Sequence, residues 1–131
     1  MTPYAEVDRS QFPLVFVRFT GQEPDDERFT AYLHELTALY DAQTPLAIVF
    51  DAREATLPGL KYQKLQANWM KGHWDNMVQY CRGTAYVINN PAVRTILRMI
   101  FAIQKQPAPY EVTAAWETGR DWARERLAHA G

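Results

Sequence analysis

The chain holds three histidines, one serine and one cysteine, a thin supply of the side chains that carry metal and nucleophilic chemistry. His34, His73 and His129 fall in three separate helical stretches. His73 and Asp75 stand about 200° apart at helical pitch, poor geometry for one metal ion. Ser10 lies in a turn near the N-terminus, outside any Gly-x-Ser-x-Gly elbow. Cys81 closes a helical stretch, where the helix dipole opposes a thiolate, so it reads as a small buried hydrophobe. No glycine-rich loop leads into a helix to cradle phosphate. The expectation is therefore no metal, no cofactor and no catalytic residue.

Binding chemistry is better supplied. Ligands of open α/β sheets gather beyond the carboxyl ends of the strands. Thr20, Gln22, Asp51, Arg53, Asn89, Asn90 and Glu117 fall at such places. Asp51 and Arg53 read either as a local ion pair or as part of a shallow polar site. The first of these is the plainer reading.

Four apolar runs must position these groups: Leu14–Phe19, Leu46–Phe50, Thr84–Ile88 and Tyr110–Ala115. Each is followed by a helix-patterned segment. That alternation predicts a single α/β domain, with a mostly parallel sheet of four to five strands and four helices. Tyr4–Val7 reads as a short edge strand. Leu46–Phe50 does not alternate, which suits a strand covered on both faces. Asp25 or Asp26 opens the first helix, whose Phe29, Tyr32, Leu33, Leu36, Leu39 and Tyr40 form a core-facing stripe. Asn90 and Pro91 make a strong start for a helix over 92–105. Arg82-Gly83 reads as a helix stop, and Thr118-Gly119-Arg120-Asp121 as a capping box for the last helix, which buries Trp122, Ala123 and Leu127.

Two helices are unusual. The first runs from Leu60 to about Tyr80, with a bend or break expected at Gly72. Tyr62, Leu65, Trp69, His73 and Tyr80 share one face of it. An aromatic core is the plain reading; a hydrophobic pocket between helix and sheet is the sharper one. The second, Ala92–Lys105, carries Val93, Ile96, Leu97, Met99, Ile100, Phe101 and Ile103 over an arc of about 200°, wider than a core-facing stripe needs. Arg94, Arg98 and Lys105 form a narrow basic stripe. Packing on the sheet and on a neighbouring helix accounts for most of that arc. The remainder suggests an interface in which Arg94, Leu97, Arg98, Ile100 and Phe101 take part.

Composition limits the classes further. The chain has 131 residues, 47% of them apolar and 22% charged, with a formal net charge of −1. That is ordinary globular composition, with no electrostatic reason to bind nucleic acid. A lone cysteine excludes an internal disulfide and suits a reducing compartment. No apolar run is long enough to span a membrane, and MTPYAEVDRS lacks a signal-peptide pattern. A cytoplasmic location is expected.

The order of elements, the strand and loop "PLAIVFDAREAT", and the closing "YEVTAAWETGRDWARERL" together resemble the STAS fold of anti-sigma-factor antagonists. They are closest in kind to its small stand-alone bacterial branch. The resemblance covers most of the chain and implies a scaffold that binds proteins or small ligands. Phosphorylated members carry a serine at the start of the helix after the second core strand. Here that place reads Thr56-Leu57-Pro58-Gly59, so the phosphoryl switch is not carried over. A response-regulator receiver would need a late lysine where Trp116 and Glu117 stand.

Two functions from different classes follow. The first, ranked ahead, is a non-enzymatic interaction or regulatory module. It would be a homodimer, or would dock on a protein partner or a membrane face, through helix 92–105. The second is a binder of a small or lipid-like ligand. It would use Tyr62, Trp69 and His73, or the strand-end set Asp51, Arg53, Asn89 and Asn90.

Overall fold

A computed structural model describes residues 2–129. Five strands form one sheet in chain order: β1 (Ala5–Asp8), β2 (Leu14–Phe19), β3 (Leu46–Asp51), β4 (Cys81–Val87) and β5 (Tyr110–Thr113). β1 runs antiparallel to β2, and every later neighbour is parallel. The helices are α1 (Asp26–Ala38), α2 (Leu60–Gly72), α3 (Trp74–Tyr80), α4 (Pro91–Ile103) and α5 (Trp116–Ala128). The α/β class and the mostly parallel sheet are as expected, with five helices in place of four.

Alternating residues send the sheet into two cores. On one face Leu14, Ala47, Val49, Ala85 and Val87 pack under α5, whose Ala123 is fully buried and whose Trp122 and Leu127 are half-buried. On the other face Val15, Val17 and Ile48 meet the α1 stripe of Phe29, Tyr32, Leu36, Leu39 and Tyr40. β3 is covered on both sides, which is why its sequence does not alternate. Asp25 caps α1 by accepting from the Arg28 amide at 2.7 Å. Asn90 caps α4, accepting from the amides of Ala92 at 2.9 Å and Val93 at 3.3 Å, with Pro91 in the first turn.

The break expected near Gly72 is present, and two local expectations are corrected. The 60–80 stretch is two helices, and the break falls at His73, whose φ of −114° and ψ of 13° leave helical geometry one residue after Gly72. Arg82 and Gly83 do not stop a helix; they lie inside β4. A side chain at Gly83 would meet the Trp122 ring and the Arg126 stem at 3.0 Å, so glycine is there for close packing under α5. The capping box is absent, because α5 begins at Trp116 and its N-cap, Ala115, makes no side-chain cap bond. Gly119 sits within that helix, where a Cβ would lie 3.1 Å from Val87. It lets α5 approach the sheet.

Candidate functional site

α1 and α5 bury residues fully, but α2, α3 and α4 bury none. These three helices stand off the sheet and leave a cavity of about 380 Å³ beneath them. That volume is within the range of small-molecule sites. The floor is Phe19, Ile48, Phe50, Thr84 and Tyr86 from β2, β3 and β4. α1 supplies Tyr32, Leu36 and Tyr40. α2 and α3 supply Gln63, Gln66, Ala67, Trp69, Met70 and Met77. Phe101 of α4 and Gln104 just past its end close the far side, with Gln106 beyond them.

Sheet register lines up the aromatic rings. Phe50 and Tyr86 are direct cross-strand neighbours, and their rings stack at 5.5 Å with a 9° interplanar angle. Phe19 stacks on Phe50 at 6.1 Å, Tyr86 meets Phe101 at 5.3 Å, and Phe101 meets Tyr110 at 4.8 Å. The result is a row of five rings running from β2 across to β5. Trp69 is held against α1 by donating its indole N–H to Thr37 Oγ1 at 2.9 Å. Its other face stacks on His73 at 4.7 Å.

The polar groups in this cavity are all neutral. No charged side chain lines it among the described residues. Tyr32 is 5% exposed, and no protein group hydrogen-bonds its hydroxyl or that of Tyr86 among the described residues. Burial is the first cause that raises the pKa of Tyr32, Tyr40 and Tyr86 above the usual phenol value. Tyr86 adds to the rise at Tyr32 and Tyr40, and all three side chains line the cavity. Cys81 also lines the cavity; burial pushes its thiol up, and its Sγ lies 3.5 Å from Thr84 Oγ1. It is an inert wall group.

A second, polar cleft of about 410 Å³ opens at the carboxyl ends of β2 and β3. Asp51 is nearly buried there and is gripped by Arg53. Its Oδ1 accepts from Nε at 2.8 Å and its Oδ2 from Nη2 at 2.7 Å. The Arg53 side-chain bond is the main reason that the Asp51 carboxyl is held below the usual carboxylate range. Arg18 pairs with Glu6 at 2.8 Å and with Glu54 at 3.4 Å. Asn89 lines the same cleft. Both arginines are thus engaged by carboxylates, and the cleft offers no idle cation to an anionic ligand.

The remaining sequence candidates scatter. Tyr62 donates to Asp26 Oδ1 at 3.0 Å and packs on Phe29, outside the cavity. His73 sits behind Trp69, with Nδ1 2.8 Å from the Trp69 carbonyl oxygen. Asn90 is occupied as a cap, and the Thr20 hydroxyl donates to the Pro3 carbonyl at 2.7 Å. Glu117 is exposed at the start of α5. Arg94 donates to the carbonyls of Ile88 and Asn89, and Arg98 to that of Val112, each at 2.7 Å. The basic stripe therefore ties α4 down. Leu97 and Phe101 are half-buried, whereas Ile100 is exposed. His34 is exposed, and His129 lies 3.7 Å from Glu125 one turn earlier. No cluster of metal-binding side chains occurs among the described residues.

Sequence reasoning missed Phe19, Tyr32, Phe50 and Tyr86 as site residues. Three of them are aromatics within strands, and register alone brings those three side by side. Comparison of the chain with protein-family models, with curated proteins and with solved structures gave no match.

Proposed function

We propose that this protein binds a flat or elongated neutral apolar molecule in the cavity beneath α2, α3 and α4, as a carrier or sensor rather than a catalyst. One observation carries the reading: an aromatic-walled cavity of about 380 Å³ with no charged side chain in its lining among the described residues. The hydroxyls of Tyr32 and Tyr86 and the amides of Gln63 and Gln66 line it and can donate to an acceptor on a ligand. The absence of charge from the lining disfavours fatty-acid carboxylates and phosphates, and favours ketones, quinone-like rings or neutral lipids.

On this reading the polar cleft is structural, because Asp51 and Arg53 satisfy each other. The STAS-like order of elements fits a binding role. A phosphoryl switch is no part of the proposal, since the Thr56 hydroxyl is shielded from solvent and without a hydrogen-bond partner.

Native mass spectrometry of gently purified protein, followed by titration with Nile red, tests it. Nile red is flat and neutral and carries a carbonyl acceptor. Saturable binding is expected in the wild type, weakened by about tenfold or more in Ala67→Trp, which fills the cavity from α2. Saturable binding of equal strength in wild type and variant would place the dye elsewhere and defeat the reading.

A further inference from the structure

α4 turns most of its apolar residues to solvent and keeps only Leu97 and Phe101 half-buried among them. Arg94 and Arg98 face the sheet and donate to carbonyls, while Val93, Ile96, Met99, Ile100 and Ile103 face solvent, Ile103 at 85% exposure. Val93, Ile96, Ile100 and Ile103 follow the 3-4-3 spacing of a coiled-coil seam, and all four are β-branched. The positions flanking that seam are Ala92, Leu97, Met99 and Gln104, and none is charged.

From this geometry we infer that the α4 seam is an interface with a second copy of this chain. Charge selects the occupant. A seam that chooses a different protein partner uses charged flanks to set the pairing. A helix that lies on an anionic membrane carries cations beside its apolar face. α4 has neither, because its two arginines are on the opposite side and bound to carbonyls. Two copies can therefore bring their seams together with no like charge in contact. The five exposed side chains hold on the order of 500 Å² per copy, so a mutual contact that covers all of it buries ~1,000 Å², the size at which a specific interface begins. A reversible dimer of about micromolar affinity is the scale that such an area supports.

The test is sedimentation equilibrium of the full chain across a concentration series, with Ile103→Glu and Ile96→Asp beside the wild type. Both positions are exposed, so the fold should persist, and far-UV circular dichroism checks that it does. A wild-type dimer whose dissociation constant rises about tenfold or more in Ile103→Glu supports the seam. If Ile96→Asp fails to fold, Ile103→Glu still decides. A wild type that stays monomeric at about 100 µM, well above a micromolar dissociation constant, overturns the proposal. So does a dimer indifferent to Ile103→Glu. Binding to phosphatidylserine vesicles without dimerisation gives the face to lipid and also overturns it.

Discussion

Each of the two candidate sites turns on how single polar side chains are satisfied. Asp51 is held ionised by Arg53, so its folded-state pKa is below its unfolded value. Its contribution is then complete above the unfolded value near 4 and is lost as pH falls through the lower folded value. Tyr32, Tyr40 and Tyr86 work in the opposite sense. Their folded values are raised, so their contribution is complete below about pH 10 and is lost at higher pH. Thermal unfolding against pH should show a plateau bounded on the alkaline side by loss from pH ~10 upward. Tyr86→Phe, which should be close to neutral in stability below that limit, should delay the loss. Arg53→Ala strands a nearly buried carboxylate. Because Arg53 is itself partly exposed and solvent-screened, about 1 kcal/mol is the expected destabilisation at neutral pH, read by urea unfolding. It should shrink in acid, where Asp51 protonates in both proteins. The hydroxyl of Tyr86 also separates ligand classes. Tyr86→Phe should weaken Nile red, which has an acceptor, and leave pyrene, which has none, unchanged; equal losses for both would assign Tyr86 a purely steric role.

Elements explain what was legible beforehand and what was not. Leu14–Phe19 and Leu46–Phe50 could be read as strands because burial of a strand demands consecutive or alternating apolar residues, and the sequence records that demand directly. The Asn90-Pro91 start of α4 was legible for the same reason, as its cap chemistry is local. Gly83 and Gly119 misled because a glycine demanded by a tertiary approach looks, in one dimension, like a glycine that ends an element. At Gly83 the neighbour is a large indole ring. Gly83→Ala should therefore destabilise the protein by about 1–3 kcal/mol through overpacking, read as a lower urea midpoint with an unchanged slope. The cavity was half legible. Trp69 and its helical face pointed to a pocket between helix and sheet, but the floor of Phe19, Phe50 and Tyr86 comes from three distant strands whose register is a property of the assembled sheet. The excess apolar arc of α4 was visible as such. Which side it faced was not, because the arginines that turn it outward bond to backbone carbonyls, and carbonyls leave no mark in a sequence.

At the scale of the molecule, α4 joins the two proposals. Its inner side sets Phe101 against the cavity, and its outer side carries the seam. The helix is held chiefly by its cap, by Arg94 and Arg98, and by the Phe101 ring, with no residue fully buried. An element so lightly anchored can settle nearer to the sheet or farther from it at little cost. A ligand that packs against Phe101 then favours one position of α4, and a second copy that packs on Ile96 and Ile103 favours one position too. If it is the same position, each event strengthens the other, and the thermodynamic cycle links the two effects. The expected result is a Nile red affinity weaker in monomeric Ile103→Glu than in the wild-type dimer, and a dimer dissociation constant that falls at saturating Nile red by the square of that factor, because each dimer holds two ligands. A coupling of about fivefold would correspond to ~1 kcal/mol, ordinary for linked sites. If neither constant moves, α4 is a fixed wall and the cavity and the seam work independently. A dimer that loosens when the ligand binds would mean that the two faces of α4 prefer different positions, with ligand release favoured by assembly.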